Sequence, residues 1–107
     1  MGHRFFHDCE EMDHACFHLD AILAPFIHRW RQDGYEVIVT ADHGQDARGH
    51  HGGTGEEQRD FAFYYFGSSA LPGEDEVLDQ LALAPSILTR MGVPVPSTMT
   101  AKPFFTP

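Results

Sequence analysis

The segment from Tyr35 to Gly44 constrains this chain more than any other, because a short β-branched run leads directly into an acid, a histidine and a glycine. Residues 35–40 are mainly apolar and too few for a helix, which predicts a strand buried on both faces. Asp42 and His43 follow at the carboxyl end of that strand, where open α/β sheets build their ligand sites. The segment therefore predicts a sheet and a binding site at its edge.

An amphipathic helix is predicted upstream, from about Phe6 to Gln32. Asp33 and Gly34 supply the stop signal, and Pro25 predicts a kink because proline cannot donate a backbone hydrogen bond. A helix that leads into a buried strand is typical of a parallel α/β sheet. The apolar stripe of the helix consists of Met12, Cys16, Leu19, Leu23, Phe26, Ile27 and Trp30.

The second half of the chain continues this alternation of elements. Gly44–Gly55 is a glycine-rich loop, and Phe61–Phe66 reads as a second strand whose aromatic side chains pack in a core. A weaker helical stretch, Val77–Met91, is interrupted at Pro85, which can occupy the first turn of a second helix, and it is closed by Gly92. The fold class that follows is α/β: a fragment of a mainly parallel sheet flanked by helices.

The loop after the first strand carries two further histidines, His50 and His51. Together with Asp42 and His43 they form a set of ligands suited to a catalytic divalent ion such as zinc. The alternative is that Asp42 caps a turn and the histidines lie on a surface loop without binding a metal. The strand before this segment and the second strand after it favour the metal site.

Charge and composition exclude several classes of partner. The net charge of -9 argues against a nucleic-acid polymer or an anionic membrane surface, and the chain has no apolar run long enough to span a bilayer. Cys9 and Cys16 are spaced about 10 Å apart on one helix, so two free thiols are expected. Free thiols slightly favour the cytoplasm, no signal peptide is visible, and the compartment stays open.

The strand with its Asp-His-Gly ending, residues 37–44, resembles the metal-binding signature of the alkaline-phosphatase superfamily. The resemblance covers nearly the whole chain and is nearest to the C-terminal portion of the type I phosphodiesterase and nucleotide pyrophosphatase branch. The other matching segments are Gly2-His3, Ala15, Asp20–Leu23, His51-Gly52-Gly53, Glu57 with Arg59 before the strand Phe61–Gly67, Leu83–Leu88 and Gly92–Pro96.

The resemblance implies a site with two divalent ions, zinc or else manganese. Asp42 and His43 would bind the metal that activates the nucleophile, and His51 and His3 would bind the second. His50 is the alternative to His51, because a shift of one residue exchanges them. Two metals would clamp the attacking and leaving oxygens of an in-line phosphoryl displacement.

Two further matched residues, Glu57 and Arg59, would orient the histidine loop or form an exposed ion pair. The nucleophile of the family, and the acid that precedes its Gly-His motif, match nothing in this chain, so no catalytic residue is assigned. Residues 1–107 are therefore expected to be a single C-terminal part of a hydrolase domain whose N-terminal half is absent.

The activity that the resemblance implies is hydrolysis of small phosphoric esters, of the phosphodiesterase or nucleotide pyrophosphatase type. Sulfatases, phosphomutases and phosphoethanolamine transferases share the Asp-His-Gly element and stay open as alternatives. The chain alone is expected to be inactive and to need its missing N-terminal half or a partner chain. The alternative to an enzyme is a non-catalytic remnant that binds metal.

Three histidines on the first helix, His7, His14 and His18, share one face and could be read as a zinc site. They lie opposite the apolar stripe, among acidic residues, which favours a solvated face instead.

Overall fold

The computed structural model describes residues 10–44, 60–73 and 76–107. The chain divides into two compact units, Met1–Gly67 and Ser68–Pro107. The first unit contains helix α1 (Glu10–Gln32) and strands β1 (Val37–Thr40) and β2 (Phe63–Phe66); the second contains a 3-10 turn (Gln80–Ala82) and helix α2 (Leu83–Arg90).

Helix α1 ends where the sequence predicts. The N–H of Gly34 donates to the carbonyl of Arg31 at 3.2 Å, and the N–H of Tyr35 donates to the carbonyl of Trp30 at 2.9 Å. Gly34 has a φ of 91°. This pair of bonds and the left-handed glycine form a Schellman motif, which turns the chain sharply from the helix toward β1.

The helix is continuous through Pro25, so the proline does not divide it. No residue of α1 is buried. The half-buried residues of the predicted stripe are Met12, Leu23 and Ile27, whereas its other members are exposed. In the part of the chain that the structure describes, no helix is both long and apolar enough to cross a membrane.

Strands β1 and β2 pair antiparallel, with Val37 opposite Phe66 and Thr40 opposite Phe63. The Thr40 hydroxyl donates to the carbonyl of Ala62 at 3.0 Å. This bond links the last residue of β1 to the residue before β2. The parallel sheet predicted from the sequence is not seen in these two strands. That prediction used the order of helix and strand, and this order does not fix the direction of the neighbouring strand.

The burial of both strands also differs from the prediction. Val37, Ile38 and Val39 are half-buried rather than buried on both faces. In β2 the burial alternates, and the Tyr64 and Phe66 side chains are exposed. An apolar run shows which side chains can be buried, but not which neighbours cover them.

The second unit begins its helical region with a side-chain cap. The Asp79 carboxylate accepts the N–H of Leu81 at 2.9 Å and so satisfies one of the N–H groups that a helix start leaves unpaired. Pro85 is in the first turn of α2, as predicted. The helix ends in a second Schellman motif: the N–H of Gly92, which has a φ of 73°, donates to Thr89, and the next N–H donates to Leu88.

The C-terminal segment is attached to α2 by two side chains. Ser86 is fully buried, and its Oγ accepts the N–H of Phe104 at 2.8 Å. The Arg90 guanidinium donates to the carbonyls of Thr106 and Pro107 and, at 2.9 Å, to the Ser68 hydroxyl. The buried residues described in this unit are Ala82, Pro85, Ser86 and Phe105.

Candidate metal centre

Asp42 and His43 lie just beyond the carboxyl end of β1, as the sequence predicts. Oδ1 of Asp42 is 3.4 Å from Nε2 of His43. The Asp42 side chain is 86% exposed and that of His43 is 40% exposed, so solvent and a ligand can reach both. Gly44, directly after them, is buried.

The other ring nitrogen of His43 fixes the tautomer of the imidazole. Nδ1 lies 2.8 Å from the carbonyl oxygen of Gly44. Because a carbonyl oxygen only accepts hydrogen bonds, Nδ1 must carry the proton, and the lone pair of the neutral ring is then on Nε2. A backbone carbonyl on one imidazole nitrogen is the usual way in which proteins orient a metal-binding histidine.

Nε2 of the neutral ring and the carboxylate oxygen of Asp42 are both acceptors, and they lie 3.4 Å apart. Two acceptor atoms can share one metal ion.

The geometry fits a metal ion. Two ligand atoms that are each about 2.0–2.2 Å from a tetrahedral zinc lie about 3.4 Å apart. Asp42 Oδ1 and His43 Nε2 already have this separation. A carboxylate oxygen and an imidazole nitrogen are also common zinc ligands. These two residues are therefore able to hold one divalent ion together.

The remaining predicted site residues lie outside the described residues, and their relation to Asp42 and His43 stays a prediction. They are His3, His50, His51, Glu57 and Arg59. Within residues 10–44, 60–73 and 76–107, no group of three or more His, Cys, Asp and Glu side chains could hold a metal ion. The described part of the predicted site is thus the pair Asp42 and His43.

Among the residues that the structure describes, the histidines of α1 do not form a second metal site. His14 and His18 are exposed on α1, as expected for a solvated face, and His14 is 3.9 Å from Glu10. Cys16 is a free, exposed thiol. His7 and Cys9 lie outside the described residues.

Sequence reasoning missed the structural role of Gly44. Its carbonyl sets the tautomer of His43. Any residue at position 44 would present this carbonyl, and Gly44 is not among the glycines with a positive φ, so the sequence carries no signal for the contact.

A groove at the opposite end of β1 was also not foreseen. It is lined by two exposed aromatic residues, Trp30 and Tyr35, and by the acids Asp33 and Glu36. Arg29 pairs with Asp33 at 3.1 Å, so the charge of this carboxylate is largely offset. The groove also includes Val37 and Ile38 at the start of β1, whereas Asp42 and His43 follow the end of this strand.

Comparison with known proteins identifies distant relatives of the chain but no matching family model. No family model and no solved structure matches the chain. Over 100 residues it is 30% identical to the catalytic subunit of mouse GPI ethanolamine phosphate transferase 3 and 28% identical to the human protein. It is 35% identical, also over 100 residues, to the 2,3-bisphosphoglycerate-independent phosphoglycerate mutase of Aeromonas salmonicida (strain A449).

The matched region covers 89% of this chain but a small part of each relative. It spans 9% of the transferases and 18% of the mutase. None of these three relatives is named a phosphodiesterase or nucleotide pyrophosphatase, so that finer prediction is not supported. Both kinds of relative are members of the alkaline-phosphatase superfamily. Over nearly its whole length, this chain is similar to a short segment of alkaline-phosphatase-superfamily enzymes that transfer phosphate-bearing groups.

Proposed function

We propose that this chain provides the metal-binding C-terminal part of a phosphoryl-transfer domain of the alkaline-phosphatase type. The observation that carries the proposal is the geometry of one pair: Asp42 Oδ1 lies 3.4 Å from His43 Nε2, and Gly44 fixes the imidazole tautomer. The pair lies directly beyond the carboxyl end of β1, where 86% of the Asp42 side chain is exposed and can reach a ligand.

In this proposal Asp42 and His43 hold one divalent ion, and His51 or His50 with His3 holds a second. The ions, zinc or manganese, would supply positive charge that offsets the negative charge of a phosphoryl group. The side chains of this acidic chain carry a net negative charge and do not supply it. Thr40 keeps the end of β1 attached to β2, so the two adjacent ligands start from a fixed backbone.

The reaction class follows from the names of the relatives rather than from the site. One is an ethanolamine phosphate transferase and the other a phosphoglycerate mutase. Their names favour transfer of a phosphate-bearing group between hydroxyl groups over the phosphodiesterase or nucleotide pyrophosphatase reaction. The substrate class that we propose is a small phosphoric ester. The nucleophile would come from a segment beyond the residues of this chain, on the same polypeptide or on a partner chain.

The first experiment is a zinc titration of the purified chain by isothermal calorimetry. Asp42→Asn and His43→Gln should each weaken binding by about tenfold or more, because each removes one ligand of the pair. His18→Gln is the matched control, since His18 is an exposed histidine of α1 outside the proposed site. The same weakening in all three variants would show adventitious binding and contradict the proposal.

A second experiment separates a partial site from a complete enzyme. The chain alone, with zinc or manganese, should hydrolyse a nitrophenyl phosphodiester no faster than a blank that contains only the metal. Clear turnover that is lost in His43→Ala would overturn the proposal that the nucleophile lies elsewhere. Zinc binding without turnover supports the partial site. If the chain does not bind zinc, the proposed metal site is contradicted.

A further inference from the structure

The hydroxyl of Thr40, the last residue of β1, makes a contact beyond the backbone pairing of the two strands. The pair nearest the candidate metal centre is Thr40 with Phe63. The next pair in this register would be Ala41 with Ala62, but neither of these residues belongs to a strand. The Thr40 hydroxyl instead donates to the Ala62 carbonyl at 3.0 Å. A side chain therefore continues the connection between the strands one position further.

Packing does not account for a threonine at this position. Thr40 is exposed, whereas residues 37–39 of β1 are half-buried. The other general reason for a threonine is strand propensity, because branching at Cβ favours extended backbone. Valine has this branching without a hydroxyl, and serine has a hydroxyl without the branching. The two substitutions therefore separate the hydrogen bond from the propensity.

The position of this hydrogen bond determines what it can affect. Only Ala41 separates Thr40 from Asp42, and His43 follows directly. Each residue contributes two free backbone torsions, so a strand end that is fixed at Thr40 leaves few torsions before the two ligand side chains. Without the bond to Ala62, the end of β1 could separate from β2 and add further torsions to this path.

The backbone matters for this pair because the side chains are not held by burial. The Asp42 side chain is 86% exposed and that of His43 is 40% exposed. Their separation of 3.4 Å therefore depends on where the backbone places them. A metal ion that binds an ordered pair of ligands loses less conformational entropy than one that must first order them.

We propose that Thr40 is a positioning residue of the metal centre. Its hydrogen bond to Ala62 holds the backbone from which Asp42 and His43 bind a divalent ion, and Thr40 itself acts through the backbone rather than as a ligand. This inference rests on the proposed function, because it takes the pair to be a metal site.

Zinc titration of the full chain by isothermal calorimetry tests this role. Thr40→Val removes the hydroxyl but keeps the branched shape, and it should weaken zinc binding about three- to tenfold, the range of one hydrogen bond. Thr40→Ser keeps a hydroxyl and should bind zinc within about twofold of the wild type. Gly34→Ala is the matched control for stability, because it strains the left-handed turn before β1 and should leave the zinc affinity unchanged.

The metal-free chain provides a second measurement, the backbone order parameters from NMR relaxation. The order parameters of residues 41–43 should fall in Thr40→Val and should keep their wild-type values in Thr40→Ser and Gly34→Ala. An equal loss of zinc affinity in Thr40→Val and Thr40→Ser, or in Thr40→Val and Gly34→Ala, would overturn the positioning role.

Failure of this inference can be distinguished from failure of the proposed function. If Thr40→Val binds zinc as tightly as the wild type, the metal site stands and only the role of Thr40 is overturned. If the wild type binds no zinc, the metal site is contradicted, and the order parameters alone decide whether Thr40 holds this backbone. Order parameters that stay unchanged in Thr40→Val would overturn the role of Thr40 in either case.

Discussion

Replacing Gly34 by alanine should destabilise the first unit by about 1 kcal/mol. Gly34 has a φ of 91°, in the left-handed region, where an L-residue costs about 1–2 kcal/mol relative to glycine. Alanine recovers part of this, about 0.4–1 kcal/mol, because it restricts the unfolded chain. A Cβ at this position would meet no atom within 4 Å, so no steric clash adds to the cost. The backbone angle alone sets the effect.

The assay is urea unfolding followed by circular dichroism, together with hydrogen exchange at the Tyr35 amide, which closes the Schellman motif. A loss of 1 kcal/mol corresponds to a fall of about 4–8 °C in the melting temperature of a domain of this size. Gly92→Ala should lose no more than Gly34→Ala, because its φ of 73° is nearer to the favoured left-handed value.

Gly73 provides the matched control for both variants. It lies outside the left-handed region, and a Cβ there also meets no atom within 4 Å. Gly73→Ala should therefore be neutral or stabilising by up to about 1 kcal/mol. If Gly34→Ala and Gly73→Ala changed stability equally, the reasoning from the left-handed turn would be refuted.

Two further predictions concern the second unit. Ser86→Ala removes the buried acceptor of the Phe104 N–H and should lower the free energy of unfolding by about 1–3 kcal/mol. Hydrogen exchange at the Phe104 amide should become faster, and unchanged exchange would contradict the role of the serine. Asp79→Ala removes the side-chain cap and should cost about 0.5–2 kcal/mol by thermal unfolding, whereas Asp79→Asn, which can still accept from Leu81, should lose much less.

The helix ends could be predicted from the sequence because glycine has a specific backbone role. Gly34 and Gly92 both adopt the left-handed angle that ends a helix, and Pro85 falls in a first turn, where its missing N–H is not needed. The direction of β1 against β2 could not be predicted, since the order of elements does not determine it. The expected two-sided burial of β1 was wrong, because an apolar pattern does not identify the neighbours that cover a strand.

The candidate site could be predicted only in part, for a similar reason. Asp42 and His43 are adjacent in sequence, so their proximity follows from the chain itself. The residue types do not specify their 3.4 Å contact or the contact of the imidazole with the Gly44 carbonyl, because both depend on side-chain rotamers. The contribution of His51 depends on how a long loop returns to the strand, and that stays a prediction.

The position of Trp30 makes the chain its own fluorescence probe. It is the single tryptophan of the sequence, it is 40% exposed, and its ring lies beside Phe26 at the end of α1. Its emission should therefore shift to longer wavelength when α1 unfolds and water surrounds the ring, and should change little when zinc binds beyond the far end of β1. One unlabelled sample can then report unfolding of α1 separately from metal binding.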